Sequence, residues 1–114
     1  MSLSFSSSVS GIRAAFDVLD SSAHNTANIN TDGFKKQNFS LSEGAIGEVV
    51  VNLSESTESG PLHQNKEGSM VEASNVSLFE EIVEQMNARH LLSANIAVIK
   101  RTDEAQKSLI DIMA

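Results

Sequence analysis

The sequence predicts a mainly α-helical protein with one helix near each end and a short extended insert between them. Three patterns carry this prediction: apolar residues recur every three or four positions near the start, recur again over a longer stretch near the end, and alternate with polar residues in between. The chain of 114 residues has room for one domain with a modest core. We divide it into an N-terminal helix with an Asn-rich turn (1–36), a short β or loop insert (37–74) and a long C-terminal helix (75–114).

The first helix is predicted near residues 8–29. Its apolar face contains Val9, Ile12, Phe16 and Leu19. The serine-rich stretch SFSSSVSG precedes this face and offers several N-caps. At residues 25–36 the sequence NTANINTDGFKK ends the helix, since Asn, Thr and Gly are typical of a turn.

The C-terminal helix is predicted to run from about Leu78 to about Met113, because no Gly or Pro follows Gly68. Ser77 and Glu80 have the spacing of a capping box, in which each side chain bonds the backbone N–H of the other residue. At about 1.5 Å per residue such a helix is on the order of 54 Å long. This length exceeds what a compact domain of this size requires.

Two adjacent apolar stripes follow this long helix, and together they are wider than the shorter first helix can cover. We therefore expect a coiled-coil hairpin or an intermolecular bundle, with the surplus apolar surface buried by other molecules. A monomeric helical hairpin with an ordinary core is an equally simple interpretation of the stripes and stays open.

The insert contains two segments that alternate in the manner of strands, KQNFSLS and GEVVVNL, joined by EGAIG. The polar stretch at residues 54–69 reads as a loop. GSMVEAS is either a third strand or an extended lead into the long helix. Residues on one face of the strands are Phe39, Leu41, Val49, Val51 and Leu53.

Composition argues against several classes of function. The net charge of −7 disfavours a nucleic-acid partner, which needs a basic face. Cysteine is absent, so disulfides and thiolate metal sites are excluded. No apolar run approaches the roughly 18 residues of a transmembrane helix, so we expect no membrane insertion.

Candidate chemistry is sparse. Asp20 and His24 stand four residues apart on the first helix and could share a metal, but no third ligand follows at a compatible spacing. A small metal-dependent enzyme would rest on this pair alone, and a solvated helix face explains it better. The glycines have no phosphate-loop spacing. We therefore predict a protein that is not an enzyme, without catalytic residues, cofactor or bound metal.

The N-terminal segment resembles the bacterial flagellar basal-body rod and hook proteins, whose pattern joins a helix of the type S-G-hydrophobic-x-A to an N-x-A-N-hydrophobic-N-T-x-G-[FY]-[KR] run. The matching residues are Ser10, Gly11, Ala14, Asn25, Ala27, Asn28, Ile29, Asn30, Thr31, Gly33, Phe34 and Lys35.

The C-terminal segment is similar to the same family, in its G-x-L-x-x-S-N-V-D-L-x-x-E-M and R-x-Y-x-A-N-x-x-V-I-x-x-x-D-E patterns. The matching residues are Gly68, Glu72, Ser74, Asn75, Val76, Leu78, Glu81, Arg89, Ala94, Asn95, Val98, Ile99, Asp103 and Glu104. The insert of about forty residues makes a short, proximal-rod-like member the nearest counterpart.

The resemblance implies a structural subunit of the flagellar basal body, in the periplasmic rod or the hook region, that forms homo-oligomers and binds other rod and hook proteins through its terminal helices. It also implies delivery by the flagellar type III export apparatus without a cleaved signal peptide. The predicted assembly contacts are Ile12, Phe16, Leu19, Leu91, Val98, Ala105, Leu109 and Ile112. The predicted turn residues are Asn28, Asn30, Gly33 and Phe34.

A function of another class stays open beside this one. A soluble helical-hairpin adaptor or secretion chaperone would hold one partner and never polymerise. Such a protein should be folded on its own, whereas a polymer subunit should order its terminal helices on assembly.

Overall fold

The computed structural model describes residues 2–114 and shows a helix at each end with two β-hairpins between them. In chain order the elements are α1 (Ser2–Ala27), β1 (Gln37–Glu43), β2 (Val49–Glu55), β3 (Leu62–Gln64), β4 (Met70–Glu72) and α2 (Leu78–Met113). Met1, the first residue of the predicted segment 1–36, lies outside the described residues. The predicted mainly α architecture with a small β insert is confirmed.

The molecule is elongated, with extents of 78 × 25 × 14 Å and a radius of gyration of 20.1 Å. A compact domain of this length would have a radius of gyration of about 13 Å. The helices run antiparallel, since Gly11 lies against Asn95 and Ser22 lies against Glu81. Because α2 has 36 residues and α1 has 26, the last turns of α2 extend past the start of α1.

Helix α1 begins earlier than the predicted residue 8 and ends two residues before the predicted residue 29. The serine-rich stretch is helical because tertiary packing overrides its modest propensity: Ser8 is buried, and Ser7 Oγ donates to Gly47 O at 3.0 Å. At the other end, the Asn28 backbone N–H bonds Asn25 O and its side chain bonds His24 O, which closes the last turn.

Strands β1 and β2 form an antiparallel hairpin in which Phe39 pairs with Leu53 and Leu41 pairs with Val51, so this predicted hairpin is confirmed. The hairpin packs along α1. Val49 N donates to Ser10 Oγ at 3.0 Å, which fixes the beginning of β2 to the helix.

The predicted loop at residues 54–69 is partly wrong, because residues 62–64 form β3 and pair with β4. The turn between them explains the difference. Asn65 Oδ1 accepts the N–H groups of Glu67 and Ser69, and Gly68 has a φ of +86° that residues with a side chain rarely adopt. Residues 62–72 therefore form a short hairpin that the polar composition of this stretch did not predict.

Helix α2 has the predicted bounds, and Ser77 is its N-cap residue. The predicted capping box is wrong, because Ser77 makes no side-chain cap bond. Glu80 instead accepts a hydrogen bond from Lys36 Nζ at 2.6 Å. The charge-assisted bond between elements thus replaces the local one.

Candidate functional site

The strip between the two helices is built mostly from small and polar residues, with Val18, Leu92 and Ile99 as its larger apolar members. Successive members on each helix are three or four residues apart, the spacing of two helices that pack along their length. We call this strip the helix seam. Its members are Ser8, Gly11, Ala15, Val18, Ser22 and Asn25 on α1 and Glu81, Gln85, Ala88, Leu92, Asn95 and Ile99 on α2.

Small seam residues allow the helix backbones to approach closely. A Cβ added to Gly11 would lie 2.6 Å from Asn95 Nδ2, a distance that real contacts do not show. Ser22 is fully buried, donates to Glu81 O and accepts a hydrogen bond from Gln85 Nε2 at 3.0 Å. The pairing is therefore specified by shape and hydrogen bonds more than by apolar burial.

The Asn25 amide joins α1, β1 and α2. It is fully buried; its Oδ1 accepts Gln37 N at 2.8 Å, and its Nδ2 donates to Gln37 O at 2.9 Å. The same Nδ2 donates to Glu81 Oε1 at 3.2 Å. The Asn25 side chain thus bonds both the backbone N–H and the C=O of Gln37, as a neighbouring strand would do at the start of β1.

Asn75, just before α2, binds the backbone at Lys36, the residue that precedes Gln37. Its Oδ1 accepts Lys36 N at 2.7 Å, and its backbone N–H donates to Phe34 O at 3.3 Å. Its Nδ2 donates to Glu58 O at 2.9 Å. Asn75 and Asn25 therefore accept hydrogen bonds from two consecutive backbone amides, those of Lys36 and Gln37, where the chain passes from the turn into β1. Each asparagine comes from one of the two segments with family resemblance.

A cluster of charged groups surrounds this junction. Lys36 Nζ lies 2.6 Å from Glu80 Oε2 and 4.0 Å from Glu81 Oε1. Burial by itself lowers the pKa of Lys36. The hydrogen bond that Lys36 donates to Glu80 and the charges of Glu80, Glu84 and Glu81 outweigh burial and raise this pKa above its ordinary value. Burial and the Glu81 charge also raise the pKa of Glu84. Lys36 therefore compensates the closely spaced carboxylates that begin α2.

The predicted turn residues lie between α1 and β1. Asn28 bonds His24 O, while Asn30 is exposed. Gly33 has a φ of +73°, and its N–H donates to Glu72 O at 2.8 Å, so the turn is tied to β4. The Phe34 ring meets the His24 ring edge-on, with 5.4 Å between the centroids.

The predicted assembly residues lie mostly outside the helix seam. Ile12, Leu19 and Leu91 are half-buried beside it, whereas Phe16 is 52% exposed and Val98 is 46% exposed. Ala105, Leu109 and Ile112 belong to residues 103–113, all of which are exposed. We call residues 103–113 the α2 tip.

The residues described by the structure form neither a metal-binding cluster nor a membrane-spanning helix. Between residues 2 and 114 no group of three His, Asp or Glu side chains is arranged to hold a metal ion, so Asp20 and His24 have no third ligand there. Neither α1 nor α2 combines the length and hydropathy that a membrane-spanning helix needs.

The C-terminal part of the chain matches a protein-family model. Residues 67–112 match the model described as "Flagellar basal body rod FlgEFG protein C-terminal". This segment is similar to the C-terminal region of the flagellar basal-body rod proteins. It contains β4, Asn75 and nearly all of α2, and it indicates a structural protein of the flagellar rod and hook type. No curated protein matches the chain.

The rod-family match implies the flagellar basal body as the place of the protein and confirms the resemblance noted in residues 68–104. The resemblance in residues 10–35 lies outside the matched range. Residues of that segment pack on the matched one, since Asn25 Nδ2 donates to Glu81 Oε1 and Gly11 lies against Asn95.

Sequence reasoning did not identify the α1 side of the helix seam or the buried polar side chains of the seam. The signal was present: Ser8, Gly11, Ala15, Val18, Ser22 and Asn25 alternate spacings of three and four over five steps. Weighting apolar residues alone selected the neighbouring face with Ile12 and Phe16 instead. A search for small residues at heptad spacing would have identified the seam.

Proposed function

We propose that this chain is an assembling subunit of the flagellar basal-body rod, held to copies of itself and to other rod and hook proteins by its terminal helices. One observation carries the proposal: in a helix similar to that of the rod proteins, no other element among residues 2–114 covers the α2 tip, and Leu109, Ile112 and Met113 are 50%, 81% and 86% exposed. Apolar side chains in such a row favour burial against another helix.

We further propose that α1 and α2 wind around each other as a coiled coil with closely spaced axes. The alternating spacing of three and four on both helices supports this, since it is the repeat of two helices in a left-handed supercoil. In the assembled rod this pair would serve as the rigid body, and the two hairpins would face outward from it.

The short insert supports a proximal-rod-like member over a hook protein with large outer domains. In this proposal the chain reaches the periplasmic rod through the type III export apparatus, without a cleaved signal peptide. A secretion test would measure whether the full-length, unprocessed chain leaves a cell that has the export apparatus and stays inside a cell that lacks it.

Assembly through the tip is tested with the Leu109→Gln, Ile112→Gln double variant in the native bacterium. We expect cells that export the variant but do not swim, and purified basal bodies that lack a complete rod. The matched control is Ile46→Gln, which changes a similarly exposed isoleucine in the β1–β2 turn. Normal rods in the tip variant would refute assembly through the α2 tip.

Solution behaviour distinguishes a rod subunit from an adaptor. A rod subunit should gain helicity and mass together as its concentration rises, because unpaired ends order on assembly. Circular dichroism and sedimentation velocity measure both quantities. A fully helical monomer at every concentration would favour the adaptor.

A further inference from the structure

The α2 tip continues the helix seam beyond the end of α1. Seam positions on α2 continue through Thr102, Gln106, Leu109 and Met113 at the same spacing. The tip therefore presents Leu109 and Met113 on the side that α1 covers farther back. Within the described part of the chain, α1 does not reach this level. Within residues 2–114 this side of the tip is therefore free to bind another helix.

A second apolar strip lies at the opposite end of α2. It consists of Phe79, Ile82, Val83 and Met86, and we call it the α2 shoulder. Phe79 is 77% exposed and Met86 is 65% exposed. At 100° per residue these positions lie roughly half a turn from Glu81 and Gln85, on the side of α2 that faces away from α1.

The shoulder and the tip lie on opposite sides of one helix. A single straight partner helix contacts one side only, so it cannot cover both strips at once. This geometry disfavours a closed two-fold dimer, in which each copy would make both contacts with the same neighbour. It favours a head-to-tail contact, which leaves a free strip at each end of the assembly.

The distribution of charge favours the same pairing. Glu80, Glu81 and Glu84 in the first turns of α2 share the positive charge of Lys36, which leaves this end of the helix with a net negative charge. A shoulder-to-shoulder contact would bring two such negative ends together. Residues 100–113 have three basic and three acidic side chains. The tip therefore approaches the shoulder without this repulsion.

We propose that the α2 tip of one copy docks on the α2 shoulder of a second copy, so that identical chains join in a staggered, open, head-to-tail row. The inference rests on the proposed assembly function and specifies its contact surfaces. With both helices pointing the same way, the step from Phe79 to Leu109 gives a repeat of about 45 Å, from a rise of about 1.5 Å per residue.

The test uses two variants of the full chain, Phe79→Gln at the shoulder and Leu109→Gln at the tip. Glutamine keeps the helix propensity but removes the apolar contact. By sedimentation velocity, the unchanged chain should grow beyond dimers as concentration rises. Each variant alone should associate at least about tenfold more weakly, as truncation of a buried anchor does.

Mixing the two variants gives the decisive result. Phe79→Gln retains an intact tip and Leu109→Gln retains an intact shoulder, so an equimolar mixture should form one-to-one dimers and nothing larger. Ile46→Gln is the matched control, since Ile46 is 77% exposed like Phe79 but lies in a hairpin turn, and it should assemble like the unchanged chain. A mixture that remains monomeric, or a tip variant that still grows by itself, would overturn the proposal.

Cysteine chemistry provides a second readout that does not need a stable mutant assembly. The chain contains no cysteine, so Phe79→Cys and Leu109→Cys each introduce one thiol. Mild oxidation should give disulfide heterodimers only when the two chains are mixed. If the unchanged chain never associates, the assembly function itself fails; if it associates but gives no such heterodimer, only the tip-to-shoulder contact fails.

Discussion

Replacing Asn25 with Ala should strongly destabilise the folded chain, because this one buried amide joins three elements. The substitution removes the partners of Gln37 N, Gln37 O and Glu81 Oε1, at 2.8, 2.9 and 3.2 Å. Leaving a buried group unpaired costs about 1 kcal/mol when it is neutral and about 2 kcal/mol when it is charged, which gives about 4 kcal/mol in all. At about 0.05–0.15 kcal/mol per residue, the whole chain has a stability of about 6–17 kcal/mol.

Urea unfolding followed by circular dichroism measures this loss at a concentration low enough to keep the chain monomeric. We expect the Asn25→Ala midpoint to fall by about 2 M. Asn30→Ala is the matched control, because Asn30 is exposed in the following turn, and its midpoint should change little. Equal midpoints for the two variants would refute the role assigned to the buried amide.

Three further predictions concern packing and charge. Gly11→Ala should destabilise the chain by about 1 kcal/mol although alanine has the better helix propensity, because the new Cβ meets the Asn95 side chain. Adding Asn95→Ala should recover the lost stability, as measured by thermal unfolding. Burial and the Glu81 charge raise the pKa of Glu84 above 4.5, so the folded chain loses stability as pH rises through that pKa. Glu84→Gln should therefore raise the melting temperature at pH 7, and an unchanged melting temperature would contradict this. The hydrogen bonds from Lys35 and from Gly60 N hold the pKa of Glu72 below 4.5, so their stabilisation is present above the ordinary pKa and is lost as pH falls through the lowered one. The protection factor of the Gly60 amide in NMR-detected hydrogen exchange should therefore fall over that acid range.

Much of the architecture could be predicted because it follows from local signals. The bounds of α2 match the prediction since an uninterrupted run of helix-forming residues begins after Ser77. The hairpin of β1 and β2 could be predicted from its alternation around a glycine-containing turn. Such signals need only a few neighbouring residues.

Contacts between distant segments could not be predicted in the same way. Lys36 takes Glu80 away from the expected capping box, although the two residues are 44 positions apart. Likewise, the burial of Ser22 depends on a helix that begins 56 residues later. Propensity and periodicity describe one segment at a time, so they reveal neither the competing partner nor which face of α1 would be covered.

The two asparagines at the junction have a consequence for the order in which the chain folds. Asn25 and Asn75 hold adjacent peptides, yet 50 residues separate them, and Glu81 lies 56 residues from Asn25. Closing so long a loop has an entropic cost that the local bonds between Asn25 and Gln37 do not remove. During synthesis, α1 and the β1–β2 hairpin emerge well before α2, so they can pack on each other while the helix seam still lacks its second side. The junction near the beginning of this protein is therefore completed only when the last third of the chain has been made.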